Sequence, residues 1–263
     1  MLYDKIGRVK SFMPKKFKLF GICVILLSIG LSFVLADLLS SLITIGNFAF
    51  LTTQTTKSNS YTIYAISLEK AISLIQAKDK VNDVMQKNGA GFIYSIDNVY
   101  YVLASGYENK SDAEKVVEHL SESGISSEII EIKVDKIEID MNLTTDEKST
   151  MSEAINLFKN TYKTLYDISI SLDTSVKTKT ECKLLINDLK SNILKTQSNF
   201  DTQFNSKLNS KLLNIKLEIN ELITIIQALI NNADNELFSA YIKSAYLEAV
   251  KLNQNLANDI NST

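Results

Sequence analysis

From Ile125 to Thr263 the chain contains neither a glycine nor a proline. These two residues supply most of the punctuation for turns and irregular loops, so a stretch this long without them predicts long helices. The apolar residues agree. Met151, Ile155, Phe158, Tyr162, Leu165, Leu172 and Val176 recur at the spacing of a helix packed in a bundle. Phe200, Phe204, Leu208 and Leu212 lead into Ile215, Ile219, Leu222, Ile226 and Leu229, and Phe238, Tyr241, Ala245, Ala249, Leu252 and Leu256 form a third stripe. With breaks near Ser171 to Thr180 and at Asn231-Asn232, three long antiparallel helices are expected, the middle one interrupted around Gln197 to Thr202. Such a bundle is expected to fold by itself from about Ser149 to Asp259.

The preceding stretch has the opposite character. Tyr61 to Leu68 is rich in the β-branched and aromatic residues of a strand. Ala71, Leu74, Ile75, Val81, Val84 and Met85 then mark a helix that ends before Gly89. Gly91 to Ile96 and Val99 to Ala104 read as strands joined by a two-residue turn at Asp97-Asn98. Ser111 to Glu114 has capping-box spacing and opens a second helix through Ala113, Val116, Val117 and Leu120, closed by Gly124. Ser127 to Val134 alternates as a half-exposed strand. The order βαββαβ is the ferredoxin-like arrangement, with both helices on one face of a four-stranded sheet.

The run Tyr100-Tyr101-Val102-Leu103-Ala104-Ser105-Gly106-Tyr107, followed by Ser111-Asp112-Ala113-Glu114 and a helix ending at Gly124, resembles the second half of a SPOR domain. Tyr61 to Leu68 stands where the first strand of that family lies, with Tyr64 at a position where the family often carries Gln. The resemblance covers about residues 61–134. It implies an extracytoplasmic module that binds peptidoglycan, preferring glycan strands stripped of their stem peptides, and that gathers at septa in cell division or sporulation.

The N-terminus supplies an anchor. Lys5, Arg8, Lys10, Lys15, Lys16 and Lys18 precede an uncharged apolar run from Leu19 to Ala36, which reads as a membrane-spanning helix with its N-terminal flank in the cytoplasm. A secretory signal peptide is the competing reading, but no small-residue cleavage pattern follows. The expected organisation is therefore a basic cytoplasmic segment 1–18, a transmembrane helix 19–40, a linker 41–60, a SPOR-like domain 61–135, a linker 136–147 and a helical domain 148–263. The fold class is α+β followed by an all-α bundle. The Lys, Asn and Ile bias suggests a low-GC bacterial genome, and the expected location is a bacterial plasma membrane, single-pass, with the C-terminus outside. Partners are then the lipid bilayer, peptidoglycan glycan strands and proteins met by the bundle.

Catalysis has little to stand on. The single histidine, His119, lies among acids on a helix face, and Cys182 has no histidine partner. No metal-ligand spacing, phosphate-cradling glycine loop or nucleophile elbow occurs, so neither an enzyme nor a cofactor is expected. A net charge of -2 carries no nucleic-acid signature. The tyrosines carry the only site signal, six of the eleven lying between Tyr61 and Tyr107. Alternation puts Ile63, Ala65, Val102 and Ala104 against the helices, and Tyr64, Phe92, Tyr94, Tyr101 and Leu103 on the open face. Those aromatic faces suit stacking on sugar rings; the plainer reading is cross-strand packing. Two functions follow: a membrane-anchored glycan binder working through that face, or an interaction scaffold working through the bundle. An uncovered aromatic face favours the first, and an exposed second apolar stripe on a helix favours the second.

Overall fold

A computed structural model describes residues 57–139, 141 and 143–262. The expected span at 19–40 and most of the linker after it lie outside the described residues. Among those described, no helix is long and apolar enough to cross a membrane. The order is β1 (Tyr61–Ala71), α1 (Leu74–Gln86), β2 (Phe92–Ile96), β3 (Val99–Tyr107), α2 (Lys110–Glu122), β4 (Glu128–Val134), α3 (Thr145–Asp173), α4 (Lys179–Phe204), α5 (Ser210–Asn231) and α6 (Phe238–Ser262). The architecture is α+β, with four antiparallel strands in the order β2-β3-β1-β4.

Local chemistry accounts for most boundaries. Asp97 and Asn98 both have positive φ, 50° and 62°, as a two-residue hairpin turn requires, and Asn supplies what a glycine would. Gly124, at φ 75°, ends α2. Two starts differ from expectation. β1 runs on to Ala71, because Ser73 is the N-cap of α1 and accepts from the N–H of Gln76. Asn109, not Ser111, precedes α2, so the Ser111–Glu114 capping box does not form.

The helical region holds four long helices where the stripes suggested three. The break comes at a 3-10 turn, Asn205–Lys207, and at Asn209, whose side chain caps α5 by accepting from the N–H of Leu212. The spacing Phe200, Phe204, Leu208, Leu212 runs through this break, but Leu208 is exposed there while the other three are buried. α3 and α4 start with complete capping boxes, Thr144/Glu147 and Thr178/Glu181. The connection after β4 is ordered as well: Ser58 and Ile137 exchange hydrogen bonds at 3.0 and 3.1 Å, and Ile137 and Ile139 are buried.

The sheet is covered on both faces. Ala77 and Val84 of α1 pack on Val102, with Leu68, Ile93, Tyr100 and Ala104 around them. The opposite face is not open. Ile63, Ala65, Tyr94, Leu103, Ile130, Ile132 and Val134 share one continuous apolar core with α3, α4, α5 and α6.

Candidate binding face

The helix that closes the second face is α6, and it holds every strand of the sheet. The Tyr246 hydroxyl accepts the backbone N–H of Gly106 in β3 at 3.2 Å. Asn253 Nδ2 donates to Tyr61 Oη in β1 at 2.9 Å. Gln254 serves both outer strands: its Oε1 accepts from Tyr94 Oη of β2 at 3.1 Å, and its Nε2 donates to the Lys133 carbonyl of β4 at 2.9 Å. Cations flank the same rings, with Lys251 Nζ 5.4 Å from the centroid of Tyr94 and Lys159 Nζ 4.6 Å from that of Tyr61. Burial pushes the Tyr61 phenol up to about 12 and lowers both lysines.

Of the residues expected on an open face, Phe92, Tyr94, Tyr101 and Leu103 do share one side. Phe92 pairs with Leu103 and Tyr94 with Tyr101 across β2 and β3. That side faces the bundle. Tyr94 retains 8% of its accessible surface and Leu103 none, while Phe92 and Tyr101 are half-buried at the margin of the core. Tyr64 belongs to the other side. It lies opposite Glu131, which pairs with Lys110 of α2, and its neighbours Ile63 and Ala65 face the bundle. The expected assignment of β1 is thus inverted. Both alternating sets of this strand, Tyr61/Ile63/Ala65 and Tyr64/Ile66/Leu68, are apolar or aromatic, so alternation alone does not orient it. The pairing with β3 also slips at Ser67, which removes the simple parity between the two strands.

A second tyrosine cluster escaped the sequence reading because its members come from distant elements. Tyr246 stands edge-on to Tyr162 and Tyr166 at 5.6 and 5.8 Å, and Tyr107 is edge-on to Tyr166 at 6.2 Å. Desolvation raises all four phenols, holding them neutral. Gly106 permits the approach: a Cβ there would lie 2.8 Å from Ile63 Cγ2 and 3.1 Å from Leu247 Cδ2.

At one end of the interface sits a buried ion pair. Lys243 Nζ meets Asp173 Oδ2 at 2.7 Å and donates to the carbonyl of Asn88 at 2.8 Å. Asn88 Nδ2 and Ser239 Oγ donate to Asp173 Oδ1, so the turn before β2 is tied to α3 and α6 together.

Groups that could do chemistry are dispersed. His119 sits on exposed α2 at 3.3 Å from Glu122, and the Cys182 thiol is buried in α4. Among the described residues no group of His, Cys, Asp and Glu could hold a metal ion. Most of the large apolar side chains left exposed lie away from the sheet face: Leu184 and Leu194 on α4, Leu208, Leu213 and Leu217 around the start of α5, and Ile72, Leu74 and Ile75 where β1 meets α1; Ile96 at the end of β2 and Val176 after α3 are exposed as well. No protein-family model, curated protein or solved structure matches the chain.

Proposed function

We propose that the chain is a non-enzymatic, membrane-anchored interaction protein on the extracytoplasmic side of a bacterial plasma membrane. In this reading it is built on a SPOR-type, ferredoxin-like module whose sheet face serves its own helical bundle. One observation carries this reading: α6 occupies the face on which a glycan chain would stack. Tyr94 and Leu103 are spent on internal packing, and separating sheet from bundle would bare a continuous core. What remains for a partner is the outside of the joined sheet and bundle, where leucines of α4 and α5 stay exposed.

A second reading retains peptidoglycan as ligand and a septal role in division or sporulation. It is favoured by the βαββαβ order that the SPOR resemblance implies, and by the half-exposed rings of Tyr64, Phe92 and Tyr101. One experiment separates the two. The purified full-length protein in detergent is incubated with isolated, amidase-treated wall sacculi and sedimented. The interaction reading expects the protein to stay in the supernatant. Sedimentation that a folded variant carrying Tyr64→Ala and Tyr101→Ala loses would establish the glycan reading instead.

A further inference from the structure

A four-stranded sheet has two edges, and this protein treats them differently. β4 carries Glu128, Glu131 and Lys133, and α6 closes on its side of the sheet with Gln254 and Asn261 donating to the carbonyls of Lys133 and Lys136. At β2, α6 holds only a side chain, the Tyr94 hydroxyl, and leaves the backbone edge unguarded. Phe-Ile-Tyr-Ser-Ile is uncharged, contains no proline and pairs with β3 without a bulge. Charges, prolines and bulges are the devices that normally blunt an exposed edge. The two-residue turn at Asp97-Asn98 makes Ile96 and Val99 a hydrogen-bonded pair. By alternation Tyr94/Tyr101 and Phe92/Leu103 are the next such pairs. The N–H and C=O groups of Ile93 and Ser95 therefore point away from β3, and among the described residues no hydrogen bond reaches them.

Apolar surface lies beside this backbone edge. Val81 and Met85 of α1 flank Gly91, where a Cβ would come within 3.0 and 2.6 Å of them. Two turns back on the same helix face Leu74 is 43% exposed, and Ile75 next to it 75%. Since β1 and β2 both run antiparallel to β3, Ile72 (81% exposed) and Ile96 finish at the same end of the sheet.

We propose that β2 pairs antiparallel with β2 of a second copy of this chain, making one continuous sheet across a two-fold axis, with the two α1 helices meeting above the seam. An open row of backbone donors and acceptors is a template for another extended strand. An identical β2 answers that need without bringing like charges together, because it has none. The exposed side of α1 carries both signs, Lys78 with Asp79 and Asp83, so antiparallel copies bring opposite charges within reach. Each copy has one unguarded edge, so the pairing closes at two and does not propagate into a fibre. The inference rests on the edge and stands apart from whatever the exposed leucines of α4 and α5 bind.

Position 95 tests it. The N–H of Ser95 points outward, so Ser95→Pro removes a donor that the β3 ladder does not use and blocks the open edge. Ser95→Lys places two like charges near the seam. The full-length protein in detergent micelles is measured by sedimentation with the detergent contribution subtracted. The expected protein mass is two chains for the parent and one for each variant, a twofold drop, with the far-ultraviolet circular dichroism spectrum unchanged. If Ser95→Pro unfolds, Ser95→Lys decides. A monomeric parent overturns the proposal, and so does a folded Ser95→Lys variant that remains a dimer, since that dimer uses another surface.

Discussion

Tyr246 reaches from the last helix to the backbone of Gly106, its hydroxyl 3.2 Å from a buried amide nitrogen of β3. The contact joins residues far apart in sequence and is surrounded by the rings of Tyr107, Tyr162 and Tyr166. Tyr246→Phe keeps the ring and removes the acceptor, leaving the Gly106 N–H without a partner. The expected loss of stability is about 1–3 kcal/mol, the cost of an unsatisfied buried donor. Denaturant unfolding measures it, and a change below a few tenths would show that the bond contributes nothing.

The sheet and the bundle share one core, so they are expected to unfold together. Heating should give a single transition, coincident in far- and near-ultraviolet circular dichroism. A fragment beginning at Met141 bares Tyr246, Leu247 and Val250, which are buried in the whole protein, and should lose its helicity well below the parent's transition. A fragment melting at the parent's temperature would restore the independent bundle that the periodicity suggested.

Lys243→Met is expected to cost about 3–5 kcal/mol, because it leaves the Asp173 carboxylate buried without its cation. Replacing both, with Asp173→Leu added, should recover much of that loss, since two apolar groups leave no charge stranded. Urea midpoints of the two single variants and the double variant check the prediction. A double variant no more stable than Lys243→Met would argue that the bonds from Asn88 and Ser239 matter more than the ion pair.

Burial, with Asp259 and Glu221 nearby, raises the carboxyl of Glu218 to about 7, and burial raises that of Asp167 to about 6. For an acid shifted upward, the folded state holds the proton more tightly than the unfolded chain does. The stabilising increment is therefore greatest below the ordinary carboxyl range and fades as pH climbs through about 6 to 7. Melting temperature should fall across that interval, and Glu218→Gln should flatten part of the fall and raise the melting temperature at pH 8. Parallel pH profiles for parent and variant would refute the assignment.

Turn and cap residues made much of the first half legible. Asp97-Asn98, Gly124 and the strands need only local chemistry, and each lies where the residues suggest, though β1 runs on to Ala71 and β3 to Tyr107. The orientation of β1 was not legible, because Ile63 and Tyr64 are equally at home against an apolar layer. The break between α4 and α5 was expected around Gln197 to Thr202 and comes later, at Asn205–Lys207, because Leu208 keeps the spacing of the stripe and hides the exact position. Its signal lay in the polar residues Asn205, Ser206, Asn209 and Ser210, of which Asn209 is the cap. That the tyrosine-bearing face would meet α6 depends on pairings such as Tyr61–Asn253, which no local pattern encodes.

The order in which the chain is made acquires significance from the grip of α6 on all four strands. A polypeptide emerges from its N-terminal end, so Ile63, Ala65, Tyr94 and Leu103 exist as a naked apolar sheet face until Tyr246, Asn253 and Gln254 arrive to close it. For that interval the nascent protein carries the kind of surface that holdase chaperones recognise and that neighbouring nascent chains can wrongly share. Ribosome-bound intermediates made in a membrane-free translation system and arrested before residue 238 should therefore bind hydrophobic dye and chaperone, and both signals should vanish once the complete chain has been released.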